Sequence, residues 1–485
     1  MIRGSGRVAT IVVIAILAAL GTTTAAYSGD LNKAAGVMAA YSLAAPQSEG
    51  ASGLVARAVV PSGSTCPTLD VTMSQGGAAA THHLDMHVRP APVTTMPAFA
   101  SITVCSATMP VGAVKAEVDG RTIPAHLPTR IDRLAMFGDT GCRIVETEVQ
   151  DCAVPNEWPL SLISQSIASQ RPDAVIFSGD FFYREAACPV AQQDQCGSSP
   201  PPVAGLPITD SAYGWIADVL LPMTPLFSEV PIVVTRGNHE ACYRAGNGYF
   251  LLFDPRSGTE LTCAPVKVGS GLAAAPTNPT ATYAIDLHMT DTRTLRLAIV
   301  DSAGGSDTEV TSFATQQRPE YAAAAALAAP RAGRESWLVT HRPLYGFVST
   351  DFGKPGKSFD PWTSMDQAAA AYGLLDNYDL VFSSHVHLAQ SVQLPGLPGQ
   401  LVLGNGGTLL DPATGYPLPT SGAKVGTGKE YPAPSWAWVN PRFGYAMAYP
   451  NAKTGSWRLA MLDSTGRQFG RCGINDRKLF CSNTR

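Results

Sequence analysis

Charge is scarce in this chain. Lys, Arg, Asp and Glu make up only 15% of its 485 residues, and they form no basic run or stripe, so nothing in it draws nucleic acid by bulk charge. The formal net charge is −4. Also missing is any CxxC spacing among the ten cysteines, which removes the usual zinc and redox readings. Beyond residue 26 no stretch approaches the roughly 20 continuous apolar residues that a transmembrane helix needs. Low charge does not signal disorder here, because apolar residues reach 45%. The 45 glycines and 38 prolines point instead to many ordered loops.

Met1 to Ala26 carries Arg3 and Arg7, then the apolar run Val8 to Leu20, then small residues through Thr24-Ala25-Ala26. This is the three-part layout of a secretory signal peptide, the alternative being an uncleaved anchor. The mature chain is expected to begin near Tyr27, outside the cytoplasm, secreted or periplasmic. An even set of cysteines behind such a leader reads as disulfides. Connectivity does not follow from sequence, and the pairs that close loops of modest length are Cys66–Cys105, Cys142–Cys152, Cys188–Cys196, Cys242–Cys263 and Cys472–Cys481.

The length favours two domains. Residues 27–129 read as an Ala/Ser/Gly-rich, flexible lead-in to about Gly63, followed by a small β-rich domain. Its alternating runs are Ser101-Ile102-Thr103-Val104 and Val114-Lys115-Ala116-Glu117-Val118, the second closed by the turn signal Asp119-Gly120. His82, His83 and His87 invite a metal reading, but no carboxylate or cysteine cluster surrounds them, and exposed polar residues are the favoured account.

From residue 130 the pattern changes to apolar strand, polar loop, helix. Leu134-Ala135-Met136-Phe137 precedes Gly138-Asp139-Thr140-Gly141. A helix over Trp158 to Gln170, with Leu160, Ile163 and Ile167 at helical spacing, leads to Ala174-Val175-Ile176-Phe177 and then Gly179-Asp180-Phe181-Phe182-Tyr183. An amphipathic stretch from Tyr213 to Leu221 leads to Ile232-Val233-Val234 and Gly237-Asn238-His239-Glu240. Later strands end at Asp301, at His341, at Ser384-His385-Val386-His387 and at Gly404-Asn405-Gly406-Gly407. Continuous apolar strands alternating with helices predict an α/β sheet buried on both faces. Ligands of such sheets collect beyond the carboxyl ends of the strands, where these polar residues fall.

Five of these blocks, centred on Asp139, Asp180, Asn238, His341 and His385-Val386-His387, occur in the order that marks a family. Over roughly Ile131 to Gly407 the chain resembles the calcineurin-like metallophosphoesterases, and within them the purple acid phosphatase-like branch. The resemblance implies a sandwich of two mixed β-sheets flanked by helices, here over 130–450, with 451–485 as a C-terminal segment. It also implies two metal ions. Asp139, Asp180, Tyr183 and His387 would hold the first, and Asp180 would bridge to a second completed by Asn238, His341 and His385. Gly141 stands where phosphodiesterase-type members place a histidine ligand, and Tyr183 stands where the purple branch supplies a phenolate. This favours Fe(III) in the first site, with Fe, Zn or Mn(II) in the second; the alternative for Tyr183 is core packing beside Phe181 and Phe182.

The implied chemistry is attack on phosphorus by a metal-activated hydroxide, with His239, adjacent to a ligand but free of metal, protonating the leaving oxygen. Glu240 either orients an imidazole or serves as a helix-start carboxylate. Ser384 replaces the family's usual glycine, and no further histidine follows His341 before His385. Arg342 either contacts phosphate in their place or has an ordinary structural role. Residues 184–210 and 411–434 are long loops placed to rim the cleft. The expected function is hydrolysis of small phosphate monoesters, with no nucleic-acid partner. The alternatives are a phosphodiesterase or phospholipase C-like hydrolase using the same metals, and a cell-surface binding protein with an inactive metal site.

Overall fold

The computed structural model describes residues 36–75, 78–89, 97–145, 147–197, 210–257, 263, 279–304, 312–348, 360–362, 373–413, 423–424 and 430–484. The leader over 1–26 and parts of both long loops lie outside the described residues.

Two mixed sheets face each other. The larger joins eleven strands. At its centre Leu134–Phe137, Ala174–Phe177 and Ile232–Val234 run parallel, and every residue in them is buried. The smaller joins seven strands, of which Arg293–Val300, Arg334–Thr340, Leu380–Ser383 and Gly399–Leu403 run parallel. Alternation along the strands decides which face each side chain covers. Leu134, Met136, Ile176 and Val233 meet Leu297, Trp337, Val339, Phe382 and Leu401 between the sheets. Their neighbours Ala135, Phe137, Val175 and Phe177 point the other way, under Leu160, Ile163 and Ile167 of the helix Leu160–Gln170. The opposite outer face takes the Ala-rich helix Ser312–Leu327, whose Tyr321 and Ala324 pack on Ala298, Leu338 and Val381. The doubly covered strands that the apolar runs predicted therefore form, with helices on both outer faces.

The flexible lead-in is a correction. Ala39–Ala44 is a strand buried at every residue, inserted between Ile232–Val234, to which it runs parallel, and the antiparallel Leu54–Pro61. Its three alanines and one serine carry little hydrophobic signal, yet small side chains suit a strand enclosed on both faces. Tyr41 anchors it, stacked on Phe227 and Phe253 and donating its hydroxyl to the Leu252 carbonyl at 2.8 Å. Ile102–Thr108 and His87–Val88 continue the same sheet outward.

Four other strands from before residue 130 form an antiparallel sheet. In it Asp119 (φ 50°) and Gly120 (φ 72°) make the tight turn between Ala113–Val118 and Arg121–Ile123, both in the left-handed region that such hairpins need. His82 and His83 are exposed there, His83 Nδ1 pairs with Asp70 at 2.6 Å, and His87 is exposed in the larger sheet. At the other edge of the larger sheet Ser456–Asp463, Gln468–Asn475 and Lys478–Asn483 add three antiparallel strands. All five expected disulfides are present. No helix among the described residues is long and apolar enough to cross a membrane.

One buried carboxyl makes stability depend on pH. Asp210 accepts from Trp215 Nε1 at 2.8 Å and from Asn247 Nδ2 at 3.3 Å, yet burial outweighs these bonds and pushes its pKa up to about 7. A folded-state value raised above the unfolded one, about 4, favours folding at low pH, and that contribution is lost as pH rises through about 7. Asn247 Oδ1 is buried without a hydrogen-bond partner, and an amide at 210 supplies its donor. Asp210→Asn is therefore expected to melt higher than wild type at pH 8, by a few °C, with a shallower fall in melting temperature between pH 4 and 8. Identical pH slopes for the two proteins would refute this.

Candidate functional site

The polar residues emerge where the central strands end. Asp139 follows Leu134–Phe137, Asp180 follows Ala174–Phe177, Asn238 lies just past Ile232–Val234, His341 follows Arg334–Thr340 and His385 follows Leu380–Ser383. Strain is concentrated at these turns. Asp139 (φ 56°), Asp180 (φ 57°) and His385 (φ 75°) hold left-handed backbone that costs a non-glycine residue roughly 1–3 kcal/mol. Glu240 helps to hold the turns together. Its carboxylate accepts backbone N–H groups from Asp180, Phe181, Phe182 and Gly237 at 2.8 to 3.1 Å. It thus neither orients an imidazole nor caps only its own short helix, but ties two strand ends together.

All seven candidate ligands form one connected cluster. Tyr183 Oη lies 2.6 Å from Asp139 Oδ1, 2.7 Å from Asp180 Oδ2 and 3.0 Å from His387 Nε2. His341 Nε2 lies 3.1 Å from Asp180 Oδ2, 2.9 Å from Asn238 Oδ1 and 3.2 Å from His385 Nδ1. Tyr183 thus packs in the core and points its hydroxyl into the cluster at once.

The donor set fits cations. One phenolic proton serves one acceptor, yet Tyr183 faces three. His341 Nδ1 sits 2.9 Å from the Ser178 carbonyl and His387 Nδ1 sits 3.0 Å from the Leu409 carbonyl. Each carbonyl holds a proton on Nδ1 and aims Nε2 inward, the usual outer-shell arrangement for ligating histidines. Ser384, the departure from the family's glycine, also reaches His341 Nδ1, at 3.0 Å. Carboxylate, amide and phenol oxygens with imidazole nitrogens, facing one another in a buried space, call for positive charge between them. The electrostatics agree. Burial raises the Asp180 carboxyl, but His341 and His239 outweigh it and hold the pKa well below the usual range. Burial lowers His341, but Asp180 outweighs it and brings its pKa to about 9. Asp180, His341 and His385 place one donor atom each within 4.8 Å of one another.

His239 stands beside this cluster, its ring 3.9 Å from that of Tyr183. Its Nδ1 is 2.8 Å from Glu185 Oε1, which also takes Arg244 Nε at 3.2 Å. Burial raises Glu185, yet His239 and Arg244 more than offset this and hold it at about 2, an anion across the working range. Burial, then Arg244, lowers His239, with Glu185 resisting. Glu185 is the residue that the sequence reading missed; an acidic side chain two positions beyond Tyr183 was the available signal. Its position is fixed by Arg184, which makes a buried two-point pair with Asp218 at 2.5 and 2.7 Å and donates to the Cys196 carbonyl at 2.8 Å. Glu185→Gln is expected to lower kcat by about 10- to 100-fold with bound metal unchanged, the range for loss of a carboxylate orienting an imidazole. Assay beside metal analysis checks this.

A cleft of about 500 Å³ opens onto the cluster, lined by Asp180, His239, His385 and His387. Arg143, Glu148 and Asp411 add charge to it, and Val348, Leu409, Leu410 and Pro412 form an apolar wall. Two strand-end residues do not join the cluster. Asp301 pairs with Arg236 at 2.8 Å and accepts from Thr280, while Asn405 donates to the Arg442 carbonyl. Arg342 is buried with Nη1 2.9 Å from His385 Nε2.

A two-sheet sandwich with carboxylate, amide and imidazole donors converging at its strand ends defines a metal-dependent phosphoesterase. The family model for calcineurin-like phosphoesterases matches residues 133–389, more than half of the chain, and the protein belongs to that family. No curated protein matches it. Among solved structures it is similar to the purple acid phosphatase PPD1 from yellow lupin (Lupinus luteus) seeds, with 14% identity, TM-score 0.50, and 92% of this chain and 74% of that one covered. It is also similar to PhoD, with 12% identity, TM-score 0.50 and 92% of each chain covered. At these identities the likeness is one of fold.

Proposed function

We propose that the protein is a secreted dinuclear phosphatase that hydrolyses phosphate monoesters. The strongest support is the position of Asp180 Oδ2, 2.7 Å from Tyr183 Oη on one side and 3.1 Å from His341 Nε2 on the other, so that one carboxylate oxygen is shared by two groups of donors. Asp139, Tyr183 and His387 with Asp180 would hold one cation, and Asn238, His341 and His385 with Asp180 the other. When bound, such a pair supplies Lewis acidity and lowers the pKa of water toward neutrality.

The chain's own residues do the remainder. His239 has Nδ1 2.8 Å from the Glu185 carboxylate and, as the imidazolium that this anion favours, gives the leaving oxygen the proton on Nε2. The leaving group rests on the apolar wall of Val348, Leu409, Leu410 and Pro412. Burial, with the Asp139 and Asp180 carboxylates, raises the Tyr183 phenol well above its ordinary pKa, so displacing its proton takes a hard, highly charged cation. Fe(III) suits that position, with Fe, Zn or Mn(II) in the other. The five disulfides support an oxidising compartment.

The test is turnover of monoester, diester and phospholipid substrates beside metal analysis and visible spectra of wild type and Tyr183→Phe. Preferential monoester hydrolysis and a broad visible band lost in the variant are expected. A colourless protein holding two divalent ions would overturn the Fe(III) assignment, and faster diester cleavage would overturn the monoesterase. Bound metal with no turnover on any substrate would make it a binding protein.

A further inference from the structure

The strands Ser456–Asp463, Gln468–Asn475 and Lys478–Asn483 carry a second concave feature, on the face of the larger sheet that points away from the sandwich. The helix Leu160–Gln170 covers that face as far as Ala460 and Leu462, which are buried with it. Beyond them Arg458, Arg471, Gly473 and Phe480 are exposed. Strand pairing fixes their layout: Arg458 stands opposite Gly473, Gly473 opposite Phe480, and Arg471 opposite Ser482. With Gln468 they line a slot of about 400 Å³ that shares no residue with the cleft at the cation cluster. Gly473 is its floor, with Phe480 on one side, Arg458 on the other, and Arg471 one pair further along.

Nothing within the protein asks for glycine at 473. A glycine inside a strand weakens it, and marks a bulge, a close approach of another backbone, or the approach of a ligand. The pairing through Gly473 is regular, its φ is not left-handed, and an added Cβ would meet only the Trp457 carbonyl at 3.9 Å. Gly470 differs, because a Cβ there would crowd Trp438 and Met461 at 3.0 and 3.3 Å. An open floor is what glycine provides at 473. The walls are held in place around it. Arg458 lies over the Tyr449 ring, 4.2 Å from its centroid, and Arg471 Nε reaches Ser482 Oγ at 3.4 Å. Phe480 meets Trp436 edge to face at 5.9 Å, and the disulfide Cys472–Cys481 joins the two strands beneath. Among the described residues neither guanidinium pairs with a carboxylate.

We propose that this slot binds an acidic sugar, a pyranose ring carrying a carboxylate, and docks the protein on uronate-bearing polysaccharide. The C–H face of the pyranose lies against the Phe480 ring above the open floor, and the carboxylate takes a guanidinium fork. Arg458 and Arg471 are diagonal neighbours rooted about 7–8 Å apart, which suits anions on successive units of a chain better than one compact anion. A lipid surface fits less well. Phe480 and Trp436 are only 49% and 41% exposed and the cations sit in a depression, whereas membrane-anchoring aromatics must reach into the headgroup layer. The net charge of −4 disfavours nucleic acid.

The probe is trigalacturonate, titrated by calorimetry into the purified full chain. Wild type is expected to bind it with a Kd of about 1 mM or below, more weakly as salt is raised, and not to bind the neutral trisaccharide maltotriose. Arg458→Gln and Arg471→Gln are each expected to weaken binding about two- to fivefold, and the two together about tenfold, the range for exposed ion pairs. Gly473→Val closes the floor with a side chain that strands favour, and is expected to abolish binding. Thermal melts confirm folding, and the double arginine variant, changed only on the surface, serves if the valine variant does not fold. No binding of trigalacturonate, equal binding of maltotriose, or wild-type affinity in the double variant overturns the proposal. Tighter binding to phosphatidylglycerol vesicles than to trigalacturonate, lost in the double variant, overturns the sugar and makes the slot a membrane contact.

Discussion

Asp180→Asn is expected to abolish turnover, lowering kcat/KM by at least about 10⁴, or roughly 5.5 kcal/mol of transition-state stabilisation, and to leave about one metal ion or fewer per chain. The size follows from both oxygens being committed. Asp180 Oδ1 accepts the backbone N–H of His239 at 2.8 Å, and Oδ2 lies 2.7 Å from Tyr183 Oη and 3.1 Å from His341 Nε2. Asparagine has one oxygen and one NH₂ for these two places. With nitrogen toward the cluster, a donor points where a cation belongs. With nitrogen toward His239, two N–H groups oppose each other in a buried site, at a cost of about 1–3 kcal/mol. Either orientation also removes the negative charge shared by the two groups of donors. The left-handed backbone of Asp180 is tolerated by asparagine, so the variant should fold and the loss can be read as a site effect. Assay with a monoester and metal analysis decide it. Retained metal with less than tenfold loss of activity would show that Asp180 is not the shared ligand.

Much of this site was legible because the sheet itself makes it. Apolar runs such as Ala174-Val175-Ile176-Phe177 are buried on both faces and can be nothing but interior strands, so the polar residue that follows each of them is delivered to one edge of the sandwich. That logic brought Asp139, Asp180, Asn238, His341, His385 and His387 together from positions spread over some 250 residues. It also misplaced some. Asp301 ends a strand in the same way, but Arg236 and Thr280 take up its carboxylate. Glu185 was invisible because its role depends on a contact with His239, a residue 54 positions away, beside the buried Arg184–Asp218 pair. The strand Ala39–Ala44 failed for the opposite reason. A buried alanine carries so little hydrophobic signal that a fully enclosed strand read as a mobile tail. Loops whose contacts are set by distant segments, such as Leu409 and Asp411 against His387, likewise leave no local pattern.

Adding a single methyl group at Gly237 is expected to be nearly as damaging as losing a ligand. Gly237 has an ordinary φ of −92°, so the requirement for glycine there is one of space. A Cβ would overlap Asp180 Oδ1 and the Asp180 backbone nitrogen, with Cγ only 2.8 Å away. Neither can retreat cheaply. The Asp180 N–H is held by Glu240 at 2.9 Å and its Oδ1 by the His239 N–H at 2.8 Å, while Gly179 on the same turn already faces the backbone of Gly237. Overpacking of this kind costs about 1–3 kcal/mol, and an ångström of displacement at a reacting centre about 10²-fold in rate. Gly237→Ala is therefore expected to fold with a melting temperature lower by several °C, and to lose about 10²- to 10³-fold in kcat/KM with weakened metal binding. Gly473→Ala serves as the comparison. Glycine 473 lies in the strand Gln468–Asn475, where a Cβ meets only the Trp457 carbonyl at 3.9 Å, and its alanine variant should match wild type in both assays. If Gly237→Ala kept full activity and metal content, the close approach of the Asp180 and Asn238 turns could not be what fixes the shared carboxylate.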